Sequence, residues 1–126
     1  MMKQVFRVVL ALAFICVEGG GAALAAGDAG AGKVLFMKCA ICHSPDAGVN
    51  KIGPSLHDIV GRHSASISNF TYSPAMQTAD KVWDQAELDT YLTNPSAVVP
   101  GTKMIFPGFK NETDRQNIIA YLATLK

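Results

Sequence analysis

Cys39, Cys42 and His43 stand together in the run C-A-I-C-H. Two cysteines three apart, with a histidine directly after the second, are open to three chemistries: metal ligation, a redox-active disulfide, or covalent attachment of haem. C-x-x-C-H is the attachment signature of c-type haem, and the chemistry explains the spacing. Two vinyl groups of one porphyrin each take a thiol and form a thioether. On a helical turn, thiols three residues apart reach both vinyls from one side, and the next residue points its imidazole at the iron. One short segment then fixes the ring, its orientation and one axial ligand.

The other two chemistries are less well supplied. A zinc site needs four thiolate or imidazole ligands. Cys39, Cys42, His57 and His63 do give C-x2-C-x14-H-x5-H, but that set ignores His43 and leaves the chain from Ser64 onward without a part in it. A thioredoxin-like pair wants a strand before C-x-x-C and a βαβ pattern around it, and neither is present. For the opposite face of a haem iron the candidates are Met37, Met76 and Met104. Met37 is two residues before Cys39 on the same segment, cannot reach that face, and is expected to pack in the core. Met76 follows S-P in a short helical stretch and reads as core. Met104 sits in V-P-G-T-K-M-I-F-P-G-F, where Pro100 and Gly101 give a sharply turned loop able to deliver a thioether onto a metal. A methionine in an apolar stretch is usually core, and this one gains weight from CAICH about sixty residues upstream.

These residues must be positioned by helices. Asp28 to Cys42 reads as one helix, with Asp28 as N-cap and Ala31, Val34 and Leu35 at helical period. Ser44 to Ile67 is rich in loop residues, with a short helical turn expected over Ser55 to Val60. Ser73-Pro74 opens a helix to about Thr78. Asp84-x-x-Glu87 starts another through Leu88, Tyr91 and Leu92, which Pro95 stops near Thr93 or Asn94. Val98 to Phe109 reads as loop. Thr113-x-x-Gln116 is expected to cap the last helix, whose apolar face is Ile118, Ile119, Leu122 and Leu125. The expected architecture is all-α, about four short helices with long loops. Such loops in a small domain usually have a functional reason, and wrapping a cofactor is one.

The first 25 residues stand apart. Lys3 and Arg7 precede the apolar run Val8 to Val17, and Ala23-Leu24-Ala25 fits an A-x-A cleavage site, the order of a secretory signal peptide. The run is half the length of a spanning helix, and Cys16 lacks the small preceding residue of a lipoprotein site. The expected division is a cleaved leader, 1–25, and a domain, 26–126. Cleavage removes Lys3, Arg7 and Glu18, and takes the 11 basic and 10 acidic residues of the whole chain to nine each. A neutral domain excludes the basic excess typical of nucleic-acid binding. Cys16 leaves too, so both remaining cysteines lie in CAICH. A domain this small is marginal alone, and a covalent haem would supply a large apolar centre.

The chain resembles the small soluble class I c-type cytochromes of bacteria and mitochondria. The resemblance runs through nearly the whole of 26–126: GDAGAGKVLFMKCAICH, KIGPSLHDIVGR, FTYSPAM, Trp83, YLTNP, VPGTKMIFPGF and IIAYL. It implies Cys39 and Cys42 as thioether anchors of one haem c, and His43 and Met104 as axial iron ligands. Pro54 would accept the His43 Nδ1–H through its carbonyl, and Tyr91 would lie beside the Met104 sulfur. Arg62, Tyr72 and Trp83 would hydrogen-bond the haem propionates. Gly32 and Phe36 would pack on Tyr121 and Leu122. His57 would fix a loop, and His63 would lie at the surface. Met76 departs from the asparagine usual in mitochondrial members, so the buried polar network there should be smaller.

A six-coordinate iron has no open position for substrate, which argues against an enzyme and for outer-sphere electron transfer. Methionine ligation raises the potential. Lys38, Lys51, Lys103 and Lys110 are expected to ring the exposed haem edge, with Asp80, Asp84, Glu87 and Asp89 gathered around the middle helix. That separation would steer the basic face to acidic partners. The resemblance implies a periplasmic monomer in a respiratory or photosynthetic chain. It would carry electrons from a quinol-oxidising cytochrome complex to an oxidase or photosynthetic reaction centre. The alternative is a dedicated electron acceptor for one periplasmic dehydrogenase.

Overall fold

A computed structural model describes residues 26–126; the expected leader, 1–25, lies outside them. The described residues form six helical segments: α1 (Ala29–Leu35), α2 (Met37–Ala40), α3 (Pro74–Thr78), α4 (Gln85–Thr93), α5 (Pro95–Val98) and α6 (Glu112–Leu122). Their only strand-like pairing is one antiparallel bridge between His63 and Val82.

Three of the four expected starts are the observed ones. Asp28 caps α1 by accepting the Ala31 N–H at 3.0 Å. Ser73 caps α3 through Met76 N–H at 3.1 Å, with Pro74 at the first position. Asp84 caps α4 through Glu87 N–H at 2.8 Å. These short oxygen side chains satisfy N–H groups that the helix itself leaves unpaired.

Four details differ. The first helix is broken at Phe36, whose N–H is shared between the Gly32 and Val34 carbonyls, and α2 ends at Ala40 rather than Cys42. The break coincides with the seating of the Phe36 ring against Tyr121, centroids 5.1 Å apart. Residues 55–60 make a turn and no helix, with Asp58 at φ 56°. Pro95 does more than stop α4: it opens α5, capped by Asn94, because a proline that ends one helix is pre-set for the first position of the next. The last helix is capped by Asn111, which accepts the Asp114 N–H at 3.1 Å, two residues before the expected Thr113. It ends at Leu122, and Leu125 packs on the core from the turn beyond.

α1 and α6 cross at very short range. A Cβ on Gly32 would fall inside the Asn117 carbonyl, and one on Gly27 would strike the Gln116 carbonyl. Asp28 N–H also donates to Asn117 Oδ1 at 2.8 Å. Behind the crossing lies the core: Phe36, Trp83, Leu88, Tyr91, Leu92, Phe109, Ile119, Leu122 and the fully enclosed Ile118. Burial of this apolar surface is the main stabilising term.

Candidate functional site

CAICH sits where α2 runs out. Past Ala40 the chain keeps turning: the Cys42 and His43 N–H groups both return to the Cys39 carbonyl, at 3.0 and 2.8 Å. Cys39 and Cys42 are both free thiols and half-buried, and Cys39 packs against the core. Burial, with a smaller contribution from Cys42, raises the Cys39 pKa to about 11. His43 Nδ1 lies 2.7 Å from the Pro54 carbonyl. A carbonyl only accepts, so the proton is on Nδ1 and the Nε2 lone pair is bare. Burial lowers the His43 pKa against the opposing pull of the Pro54 bond, which keeps the ring neutral.

Gly53 makes this arrangement possible, and the sequence reading passed over it. A Cβ there would lie 2.6 Å from His43 Nδ1 and closer still to the ring carbon beside it. The same turn is tied back to CAICH by Gly53 N–H to the Cys42 carbonyl at 2.7 Å and by Lys51 Nζ to the Ala40 carbonyl. The signal was present, since Gly-Pro fixes a turn, but nothing in the chain said that an imidazole would lie against it.

Met104 comes from the loop after α5. The Tyr91 hydroxyl, from α4, donates to its sulfur at 3.2 Å. Tyr91 is buried, and that burial raises its pKa, so the hydroxyl stays a donor at neutral pH. Its ring is tilted on Trp83, centroids 4.7 Å apart. The Met104 N–H donates to Thr102 Oγ1 at 3.2 Å. Met76 packs partly buried against the core, and Met37 is 72 % exposed, so the core role expected for Met37 is not observed.

Arg62 and Trp83 are brought together by a backbone pair: Trp83 N–H donates to the Arg62 carbonyl at 2.9 Å, and Gly61 N–H to the Trp83 carbonyl at 2.8 Å. The Arg62 guanidinium spends two nitrogens inside its own loop, on the His57 and Ser55 carbonyls at 3.0 and 2.9 Å. Its Nε is buried with no partner. The Tyr72 oxygen accepts the Ile67 N–H at 3.3 Å, which leaves its own proton to give. His57 serves its loop through its backbone, and His63 is exposed. Among the described residues no three His, Cys, Asp or Glu side chains are grouped to hold a metal ion, so Cys39, Cys42, His57 and His63 are not gathered as the zinc-finger spacing would require.

The family model described as Cytochrome c matches residues 29–126. The chain belongs to the cytochrome c family. It is 41% identical over 123 residues to cytochrome c-554 of Methylosinus trichosporium, covering 97% of this chain and 93% of the relative. To cytochrome c2 of Rhodomicrobium vannielii it is 49% identical over 104 residues, 81% and 82% of the two chains. Among solved structures it is similar to cytochrome cH from Methylobacterium extorquens, with a TM-score of 0.73, 39% identity, and coverage of 78% of this chain and 99% of that one. Like other members of the cytochrome c family, the protein is an all-α electron carrier with one covalently attached c-type haem, and it is not an enzyme. Such a carrier works with redox partner proteins.

Proposed function

We propose that this cytochrome c is an exported, monomeric, one-electron carrier whose iron is held by His43 and Met104 and whose haem is anchored by Cys39 and Cys42. The observation that carries the reading is the 2.7 Å bond from His43 to the Pro54 carbonyl. It fixes the tautomer, leaves Nε2 as the donor atom, and strengthens that donor by pulling on the other nitrogen. The residues fit a haem in other ways. Two thiols, an imidazole and a thioether are all half-buried, and Cys39 and Met104 pack against the core. The unpartnered Arg62 Nε and the free Tyr72 proton are donors suited to propionates, and Trp83 is held beside Arg62.

Bound haem supplies the one-electron couple. The chain holds the imidazole through Pro54 and Gly53, and the thioether through Tyr91. It also keeps the surroundings apolar, so both oxidation states meet nearly the same geometry. With His43 and Met104 both holding it, the iron would have no open position for a substrate.

For partners, Lys51, Lys103 and Lys110 each give their ammonium to a backbone carbonyl, of Ala40, Thr71 and Thr93, and Lys38 stands over the Phe109 ring at 5.4 Å. The basic rim is therefore held in place. Ile41, Ile52 and Ile105 lie among these lysines in the chain and are more than 70 % exposed. Glu87 and Asp89, by contrast, are paired with Lys81 and Arg115 at 2.7 and 2.8 Å, which reduces the acidic side to Asp80 and Asp84. We read the basic rim as the docking face for acidic surfaces of a quinol-oxidising complex and of an oxidase or reaction centre in the periplasm.

Absorption spectra of the exported protein, oxidised and reduced, test this. Sharp ferrous bands, a weak ferric methionine–iron band, and colour that stays with the chain after acid and organic solvent are expected. Colour that extracts, or a ferric spectrum without the methionine band, would refute the ligand set. Reduction by its partner should slow as salt rises; a salt-independent rate would remove the lysine rim from the reading.

A further inference from the structure

The loop that carries Met104 has little of its own to hold it. Residues 103–108 make no backbone–backbone hydrogen bond among the described residues, and Ile105 is fully exposed. Its downstream end is fixed from outside. Phe109 N–H donates to the Leu92 carbonyl at 2.7 Å, Lys110 Nζ to the Thr93 carbonyl at 2.7 Å, and Gly108 lies so close that a Cβ would strike the Thr93 carbonyl. One side chain ties the whole junction. Arg115, on α6 and only 12 % exposed, gives Nε to Asp89 Oδ1 at 2.8 Å. Its Nη1 donates to the Phe109 carbonyl at 3.0 Å and the Lys110 carbonyl at 3.1 Å.

Asp89 is on α4, two residues before Tyr91, whose hydroxyl is on the Met104 sulfur. Phe109 is five residues after Met104. The guanidinium thus binds both the helix that supplies the sulfur's hydrogen-bond donor and the strap that supplies the sulfur. We infer that Arg115 is a positioning residue for the axial methionine: it holds the Met104 loop and the Tyr91 helix at a fixed spacing. The inference rests on Met104 being an iron ligand. Arginine suits the task because one rigid planar fork reaches a carboxylate and two carbonyls at once, which a lysine ammonium on a flexible stem does not reproduce.

The test is titration of the ferric holoprotein with imidazole, read as loss of the methionine–iron band, beside denaturant unfolding read by far-UV circular dichroism. Wild type, Arg115→Gln, Arg115→Lys and Ile118→Val are compared. Ile118 is the fully buried neighbour on α6 and reports general loss of stability. Arg115→Gln should raise the apparent affinity for imidazole about tenfold, equal to about 1.4 kcal/mol of easier loop opening, with Arg115→Lys between it and wild type. Ile118→Val should lower the unfolding midpoint and leave imidazole affinity near the wild-type value. If Arg115→Gln does not accumulate, Arg115→Lys and Asp89→Asn carry the same comparison. Affinity rising no more in the Arg115 and Asp89 variants than in Ile118→Val would overturn the inference while leaving Met104 as ligand. A wild-type protein without a methionine–iron band would overturn both.

Discussion

The two flanks of the site are built differently. On the histidine side, residues 39–54 do nearly everything among themselves. CAICH closes its own turn, the 51–54 turn folds back on Cys42 and Ala40, and Pro54 takes the imidazole proton only eleven residues from His43. On the methionine side, the loop is held by residues remote in sequence: Tyr91 on α4, Arg115 on α6, and the 70–71 segment, where Lys103 reaches the Thr71 carbonyl and stands 4.9 Å over the Phe70 ring. A flank closed by local contacts forms at small entropic cost, because short loops are cheap to close. A flank held by distant groups opens first when those groups loosen. Of the two proposed ligands, His43 should therefore be the stubborn one and Met104 the labile one.

The comparison can be broken hardest at Gly53. A methyl group there meets the His43 ring, and neither the ring, tied to Pro54, nor the backbone, tied to Cys42, has room to move. Gly53→Ala should lower stability by about 2–3 kcal/mol and cut the yield of haem-bearing protein, seen in the denaturant midpoint and the absorbance ratio. An unchanged midpoint would mean that the histidine flank is looser than its hydrogen bonds imply. Tyr91→Phe acts on the other flank and more gently. It removes the hydroxyl from the Met104 sulfur but keeps the ring against Trp83. A loss of about 1 kcal/mol is expected, with the methionine–iron band disappearing at lower denaturant than the helical signal. Coincident loss of both signals would contradict the labile flank.

The smallest effect is expected away from both flanks. Asp58 is exposed and its pKa is lowered, first by the hydrogen bond from Lys126. A depressed carboxyl stabilises above its unfolded pKa, about 3.9, and loses that contribution as pH falls through its lower folded value. Asp58→Asn keeps the left-handed backbone, which asparagine tolerates. Its melting temperature should sit slightly below wild type at neutral pH and converge with it in acid. A gap that persists at low pH would point to a packing cause instead.

Much of the fold was legible because its signals are local. Asp28, Ser73 and Asp84 announce their helices by a side-chain oxygen three residues before the N–H it serves. The misreadings arose where two local signals competed. Thr113-x-x-Gln116 looks like a capping box, but Asn111 caps first and Gln116 turns to Glu112 instead. Pro95 reads as a terminator because its role as an initiator depends on Asn94 leaving the helix. Gly53 and Arg115 were invisible for another reason. A glycine reports its neighbours only once they are in space, and an arginine among surface-like residues of α6 looks like ordinary solvated charge.

The sequence alone determined the chemistry: the thiol spacing, the histidine after it, the methionine loop and the capping residues are properties of consecutive atoms. Tertiary structure alone decided how that chemistry is held. The α1–α6 crossing at Gly32, the meeting of Arg62 with Trp83, and the Arg115 clamp across α4, α6 and the loop join residues up to 89 positions apart. Such contacts form only after the intervening chain has given up its conformational freedom, and no short stretch of residues encodes that sum.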